Sequence, residues 1–225
     1  MKIRYTAIVT ALVFTICASI GMYNRRSYTN YNKMLDPFER FEVGGVDQET
    51  IANSIDFFEK NAIQTEIKTI LAVRCEEKPS IIGKSVLQKC EVVKVFEGRD
   101  VNKGDKINVP CCTTFFKSTL DCDDIDYMAG LSYVNKMIPG KTYLVFLDER
   151  IEGTDIFPYV GLIVRWAFCY DELPIVLFKD ESGRPGTLIA KYKNVKDSEF
   201  FVCDEESKSM VLNFKSRMLQ RYPLD

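Results

Sequence analysis

The most regular alternation of apolar and polar residues lies between residues 65 and 75, in the segment TEIKTILAVRC. Four apolar residues in it share one parity: Ile67, Leu71, Val73 and Cys75. The polar residues Glu66, Lys68 and Arg74 occupy the other parity. Because successive side chains of a strand point to opposite faces, this pattern predicts an amphipathic β-strand.

Further segments have the length and apolar content of strands. They are SVLQKCEVVKVFEG, KINVPCCTTFF, PGKTYLVFLDE, PYVGLIVRWAFCY, PIVLFK and TLIAKYK. The nearly continuous apolar run of PGKTYLVFLDE is typical of a strand buried on both faces. Gly183 and Gly186 separate the last two segments, and glycine permits the positive φ of a tight turn there. The middle of the chain is therefore rich in short strands.

Helical spacing replaces the alternation on both sides of this region. Asp47 precedes the segment QETIANSIDFFEKNA, and its carboxylate suits the N-cap of a helix. Four apolar residues of the segment recur on one helix face: Ile51, Ile55, Phe58 and Ala62. The segment EESKSMVLNFKSRMLQRY has the same spacing and predicts a closing amphipathic helix at about residues 205–221.

Short strands between two helices predict a β-rich α+β fold. Strands of this length commonly close into a small antiparallel barrel, and we expect a closed barrel with its core at about residues 65–192. A parallel α/β sheet is excluded because strands and helices do not alternate along the chain. With its flanking helices, the predicted domain covers residues 47–225.

An uncharged run, YTAIVTALVFTICASIGM, covers residues 5–22 and lies between basic residues. Its length is close to the minimum for a helix that crosses a lipid bilayer. We therefore expect residues 1–26 to be a single-pass cell-membrane anchor, with the lipid bilayer as a partner of residues 5–22. A polar tether over residues 27–46 would then connect it to an extracytoplasmic domain.

A cleaved signal segment is the alternative for this run, because small residues lie near its end. The candidate cleavage sites follow Ser19-Ile20-Gly21 or Cys17-Ala18-Ser19. The domain would in that case be secreted. Both interpretations place the folded domain outside the cytoplasm.

Composition restricts the chemistry further. Histidine is absent from all 225 residues, which excludes histidine bases, histidine metal ligands and Ser-His or Cys-His nucleophiles. The formal net charge of -2 gives no basic excess for nucleic acid. We therefore predict a protein that is not an enzyme, with no cofactor, no metal site and no nucleic-acid partner.

The order of four segments, TILAVRC, VVKVFEG, KGDKINVP and GKTYLVFL, resembles the OB-fold barrel of the netrin-module and tissue-inhibitor-of-metalloproteinases superfamily. The similarity covers about residues 65–150 and is strongest to bacterial exported members. It implies an OB-like barrel that acts as a binding module outside the cytoplasm. The inhibitors of this superfamily use a free amino-terminal cysteine, which has no counterpart in this chain, so metalloprotease inhibition is not implied.

The eight cysteines include an adjacent pair, Cys111 and Cys112. Strand parity turns three cysteines inward: Cys75, Cys90 and Cys111. A buried thiol packs as a small apolar residue. A disulfide between two of these three cysteines is an alternative. Parity turns Cys112 outward, where a disulfide to Cys122 is predicted. A second disulfide is predicted between Cys169 and Cys203.

The predicted function is a non-catalytic protein- or ligand-binding module with an unknown protein partner. One alternative is a thiol- or metal-dependent enzyme that uses Cys111, Cys112 and Cys122, with Asp121 or Asp123 as a fourth ligand. A structural protein of the cell envelope is the other alternative.

Two further features have more than one interpretation. The acidic segment DCDDIDYMAG lacks the spacing of an EF-hand, so a solvated loop is favoured over calcium coordination. Trp166 and its aromatic neighbours in WAFCY suit either an exposed ligand platform or the core. Core packing is favoured because large aromatic residues are mostly buried.

Overall fold

The computed structural model describes residues 2–27, 38, 42–82, 85–111, 115–116, 128–129, 133–161, 165–178 and 189–225. The chain divides into two compact units, Met1–Pro37 and Phe38–Asp225. The first unit contains one helix, α1, at Lys2–Ser27. Within α1, the Ser19 hydroxyl donates a hydrogen bond to the Thr15 carbonyl at 2.8 Å.

The prediction of a membrane anchor is wrong. Among the described residues, no helix, α1 included, is both long enough and apolar enough to cross a bilayer. Hydroxyl residues such as Thr10, Thr15 and Ser19 interrupt the apolar positions of α1. The single-pass location in the cell membrane, which depended on this anchor, is corrected accordingly. The lipid bilayer as a partner of residues 5–22 stays a prediction. Secretion after cleavage is a separate prediction that this finding does not test.

The second unit is α+β. Its helical elements are α2 (Gln48–Phe57), a π-helix that continues it (Phe58–Glu66), a 3₁₀ turn (Tyr192–Asn194) and α3 (Glu205–Arg221). Its strands are β1 (Glu42–Gly44), β2 (Thr69–Cys75), β3 (Ser80–Ile82), β4 (Ser85–Glu97), β5 (Lys106–Pro110), β6 (Phe115–Phe116), β7 (Met128–Ala129), β8 (Thr142–Leu147), β9 (Ala167–Cys169), β10 (Ile175–Leu177), β11 (Ile189–Lys191) and β12 (Phe200–Val202).

The main sheet is antiparallel, with the order β5–β4–β2–β8–β9, and β3 pairs with the first residues of β4. Register partners in its centre include Val73 with Tyr143 and Cys75 with Cys90. Every residue of β2 except Arg74 is buried. The strand predicted to be amphipathic is therefore covered on both faces. Two smaller sheets, β11–β1–β7–β6 and the parallel pair β10–β12, complete the strand pairing.

The prediction of a closed OB-like barrel is also wrong. In the described part of the chain, the sheet is open, with β5 and β9 as its two edges. At the outer edge of β5, the described residues form one isolated bridge, between Asn108 of β5 and Ile156. At the other edge, the backbone N–H of Cys169 donates to the side chain of Glu199 instead of to another strand. Side-chain capping of an edge removes the free donor that barrel closure would need.

Both principal helices begin at aspartate caps. Asp47 accepts a hydrogen bond from the Thr50 backbone N–H at 2.8 Å, which confirms the predicted N-cap of α2. Asp204 does the same for the N–H of Ser207 at 2.6 Å, at the start of α3. An aspartate there satisfies an otherwise unpaired N–H and interacts favourably with the helix dipole.

The backbone of Gly45, between β1 and α2, lies directly against β12. A Cβ atom at Gly45 would lie 2.9 Å from both the carbonyl carbon and the carbonyl oxygen of Val202. We expect Gly45→Ala to lower the free energy of unfolding by about 1–3 kcal/mol, as overpacking commonly does. Urea unfolding measures the effect. Gly21→Ala is the control, since no atom lies within 4 Å of its added Cβ; an equal effect of both variants would contradict the steric explanation.

Candidate functional site

Cys75 and Cys90 form a buried pair at the centre of the main sheet. They are register partners on β2 and β4, and neither has exposed surface. Both are free thiols. The hydrogen bond with Cys75 and burial raise the pKa of Cys90 well above its usual value. The same hydrogen bond lowers the pKa of Cys75, against the effect of burial. Because neither thiol has exposed surface, neither is accessible to a reaction partner, and the pair supports packing rather than chemistry.

Gln88 lies next to this pair and fixes a neighbouring segment. Its Oε1 atom accepts a hydrogen bond from the Met137 N–H at 2.8 Å, and its Nε2 atom donates to the Met137 carbonyl at 2.7 Å. Nε2 also lies 3.5 Å from the Cys75 sulfur. Gln88 has the parity of Val86 and Cys90 in β4, so strand parity could have placed it in the core.

The other predicted cysteine sites are only partly described. Cys111 follows β5, is half-buried and donates its backbone N–H to the Val86 carbonyl at 2.6 Å. Cys112, Cys122 and the acidic residues 121–126 lie outside the described residues. The Cys112–Cys122 disulfide, the enzyme alternative and the calcium alternative therefore stay predictions. In the part that is described, no three carboxylate or thiol side chains form a group that could hold a metal ion.

The predicted disulfide between Cys169 and Cys203 is wrong. Cys169 is a fully buried free thiol, and its register partner on β8 is Tyr143. Cys203 follows β12, with its sulfur 3.0 Å from the position of a Cβ added at Gly45. The two side chains thus have different neighbours, and no disulfide joins any two described cysteines.

Trp166 belongs to the aromatic core, as favoured from the sequence, and forms no ligand platform. Its side chain has no exposed surface. Its ring stacks on Phe168 at 5.5 Å between centroids and meets Phe214 of α3 edge-on at 5.0 Å. Such offset and edge contacts add to the stabilisation from burial.

A buried ion pair joins α3 to the edge of the main sheet. The Glu199 carboxylate accepts hydrogen bonds from the Cys169 backbone N–H at 2.7 Å and from Lys215 Nζ at 2.6 Å. The Glu199 side chain is only 3% exposed and the Lys215 side chain 12%. Burial raises the pKa of Glu199 to about 7, against the lowering effect of Lys215. Neither residue was a candidate in the sequence, because nothing in their local pattern distinguishes them from surface charges.

An open groove of about 630 Å³ lies at one end of the main sheet. We call it the Arg99 groove, and its lining residues are Ile67, Lys68, Thr69, Arg99, Asp100, Glu149 and Arg150. They come from the start of β2, the β4–β5 connection and the segment after β8. Three parts of the chain that are distant in sequence therefore build one polar surface.

Backbone geometry in the β4–β5 connection is unusual. Gly98 has φ 144° and Asp100 has φ 59°, and Asp100 is the only non-glycine residue with positive φ in the described chain. This conformation is costly for residues other than glycine, although aspartate tolerates it better than most. Residues held in rare backbone conformations cluster at ligand-binding sites. The rare backbone conformation of this turn therefore makes the groove beside it a candidate ligand site.

A smaller cavity of about 220 Å³ adjoins the groove and shares Asp100 and Arg150 with it. The Arg150 guanidinium is held in place by the Thr154 carbonyl and by Asp155, which lies 2.8 Å from it. Arg99, in contrast, makes no hydrogen bond or ion pair with any described residue. The groove thus combines a fixed cation with one that is free to meet a ligand.

The amino-acid pattern offers only an indirect signal for this site. The segment GRDVNKGDK is rich in turn-forming residues, and Lys68 is a polar position of the strand predicted within residues 65–75. Glycine, aspartate and asparagine in a charged loop mark the kind of segment that often carries binding residues. Nothing local, however, indicates that this loop meets Glu149 and Arg150.

Two comparisons with known proteins identified no relative of this chain. Neither a scan against protein-family models nor a search of curated proteins returned a match to this chain. The resemblance to the netrin-module superfamily is therefore untested, and no family is assigned.

Proposed function

We propose that residues 38–225 form a non-catalytic binding domain whose ligand lies in the Arg99 groove. The observation that carries this proposal is the groove itself, an open polar surface built from three separate segments. Its volume falls within the range of about 300–1,000 Å³ that is usual for small-ligand sites. A polar ligand or a segment of a partner protein would suit this surface, because charged side chains of both signs line it.

The distribution of perturbed ionisable groups favours binding over catalysis. The pKa of Tyr143, Cys169 and Glu199 is raised chiefly by burial. Groups with a perturbed pKa are candidates for proton transfer, and none of these three lines the Arg99 groove. These interior groups thus support the fold, and the groove offers charged contacts of both signs.

The test compares partner capture by the full chain with capture by a groove variant. Lys68→Ala/Arg99→Ala removes two exposed cations from the groove, whereas Arg74→Ala/Lys193→Ala removes two exposed cations elsewhere. Each protein is immobilised, and captured molecules are quantified by mass spectrometry.

We expect a defined partner to bind the wild-type chain and the control variant equally. The groove variant should recover about tenfold less of it, which is the loss expected from removing contacts worth ~1.4 kcal/mol. Equal recovery by all three proteins would place the binding surface elsewhere and contradict the proposal. Circular dichroism verifies that both double variants are folded.

A further inference from the structure

The four residues after α3 lie against the main sheet and are held there by side-chain donors. The Tyr170 hydroxyl donates a hydrogen bond to the Tyr222 carbonyl at 2.7 Å. The ammonium group of Lys94, on β4, donates to the backbone oxygens of residues 223–225 at 2.8, 3.2 and 3.3 Å. An ammonium group has three N–H donors, so Lys94 matches three consecutive peptide units. Residues 222–225, which we call the tail, are therefore recognised through their backbone.

Aromatic contacts fix the position of Lys94 and the start of the tail. Lys94 Nζ lies 5.1 Å from the centroid of the Phe96 ring, a distance at which a cation is attracted to the face of the ring. Phe96 in turn meets the buried Tyr222 ring edge-on at 5.3 Å. Leu224, by contrast, is half-buried and Asp225 is exposed. The first tail residue is thus anchored in the core, whereas the last three are held chiefly by Lys94.

The tail lies beside the part of β4 that has no outer partner strand. β5 pairs with β4 only as far as Glu91, and the backbone of Val92 then bonds to loop residues 104 and 105. On the inner side, β2 continues to the end of β4. No strand of the described chain pairs with the outer side of β4 at residues 93–97. An open edge of this kind is a template for another extended chain.

An open groove of about 640 Å³ runs along this edge, and Leu224 of the tail lines one side of it. We call it the tail groove. Its other described lining residues are Val93, Lys94, Val95, Val101, Asn102 and Lys103. They combine three valines with two lysines and include no carboxylate. An apolar and acidic segment complements such a surface, and the tail ends in that combination, Leu224 followed by Asp225.

We propose that the tail groove is a docking site for an extended, apolar and acidic peptide segment of a partner protein, and that the tail occupies it as an intramolecular competitor. The carbonyl groups of the peptide would accept hydrogen bonds from Lys94, as those of the tail do, and its backbone would follow the open edge of β4. The peptide must displace the tail, so its apparent affinity falls with the fraction of molecules whose groove is open. The tail groove and the Arg99 groove share no described lining residue, so this inference does not depend on the function proposed above.

Fluorescence anisotropy of a labelled peptide, RYPLD, titrated with the full chain tests this proposal; the peptide has the sequence of residues 221–225. Leu224→Ala weakens the tail as a competitor and leaves the other lining residues unchanged. We expect this variant to bind the peptide about fivefold more tightly than the wild type. Leu212→Ala changes an exposed leucine elsewhere on α3, and as the matched control it should bind like the wild type.

Lys94 variants separate recognition by this side chain from mere release of the tail. Lys94→Met/Leu224→Ala should bind the peptide about tenfold more weakly than Leu224→Ala, which is the loss expected from removing contacts worth ~1.4 kcal/mol. Lys94→Arg/Leu224→Ala keeps a cation with N–H donors and should bind more tightly than the methionine variant. Circular dichroism verifies that each variant is folded.

Three results would overturn the proposal. The first is the absence of measurable peptide binding to Leu224→Ala, and the second is binding that Lys94→Met leaves unchanged or strengthens. The third is dimerisation of Leu224→Ala in size-exclusion chromatography without peptide binding, which would mean that the open β4 edge pairs with a second copy of the chain.

Discussion

Phe214→Ala is expected to lower the free energy of unfolding by about 3–5 kcal/mol, the usual cost of removing a fully buried phenylalanine. Phe214 has no exposed surface. Its ring meets Phe58 of the π-helix at 5.4 Å, Trp166 at 5.0 Å and Phe168 of β9 at 5.3 Å, each edge-on. A single side chain thus joins α3 to the other helix and to the sheet, and its removal leaves a cavity that rigid aromatic neighbours cannot fill.

Urea unfolding followed by tryptophan fluorescence measures this change, because Trp166 is the single tryptophan of the chain and touches Phe214. Leu212→Ala is the matched control, since Leu212 lies on the same helix and is 43% exposed. It should change stability by less than about 1 kcal/mol. Similar losses in both variants would mean that helix propensity, and not packing of α3, determines the effect.

Gln88→Leu is expected to lower the free energy of unfolding by about 2–6 kcal/mol, although leucine is apolar and similar in size to glutamine. Gln88 is 1% exposed. Its amide satisfies both the N–H and the carbonyl of Met137, at 2.8 and 2.7 Å. Leucine offers neither a donor nor an acceptor. Two buried backbone groups would lose their partners, and each unsatisfied group costs about 1–3 kcal/mol.

Loss of these two hydrogen bonds should change the exchange rate of one amide as well as the stability of the whole domain. The Met137 amide should exchange faster in Gln88→Leu than in the wild type, relative to amides in β8. Gln220→Leu is the control, because Gln220 is exposed on α3 and its amide donates a hydrogen bond within the same helix, to Ser216 Oγ at 3.3 Å. Stability and Met137 exchange that match the wild type would show that the segment finds other partners.

Local periodicity predicted individual elements well where one face of the element meets the core. Asp47 begins α2, and the closing helix occupies Glu205–Arg221. Parity placed Cys75 and Cys90 on one face of their strands, where they are opposite each other. These features depend on backbone geometry within a few residues, and 3.6- and 2-residue periods report that geometry directly.

Closure of the sheet could not be inferred in the same way. A pattern over seven residues can predict a strand. Whether the first and last strands of a sheet pair with each other depends instead on register and on the connections between the strands. Here a side chain, that of Glu199, takes the free N–H at the β9 edge. The wrong Cys169–Cys203 disulfide has the same cause, because the neighbours of each cysteine depend on long-range packing.

The Arg99 groove is the clearest example of a feature that local periodicity cannot predict. Lys68, Arg99 and Arg150 come from three segments and share a surface only because β2, β4 and β8 are neighbours in the sheet. The sequence by itself determined helices α2 and α3, the central strands β2, β4 and β8, and the absence of histidine chemistry. The tertiary structure alone decided that the sheet stays open, that Glu199 and Lys215 pair inside it, and where the charged groove lies. Periodicity is a local property of the backbone, whereas these contacts depend on long-range packing.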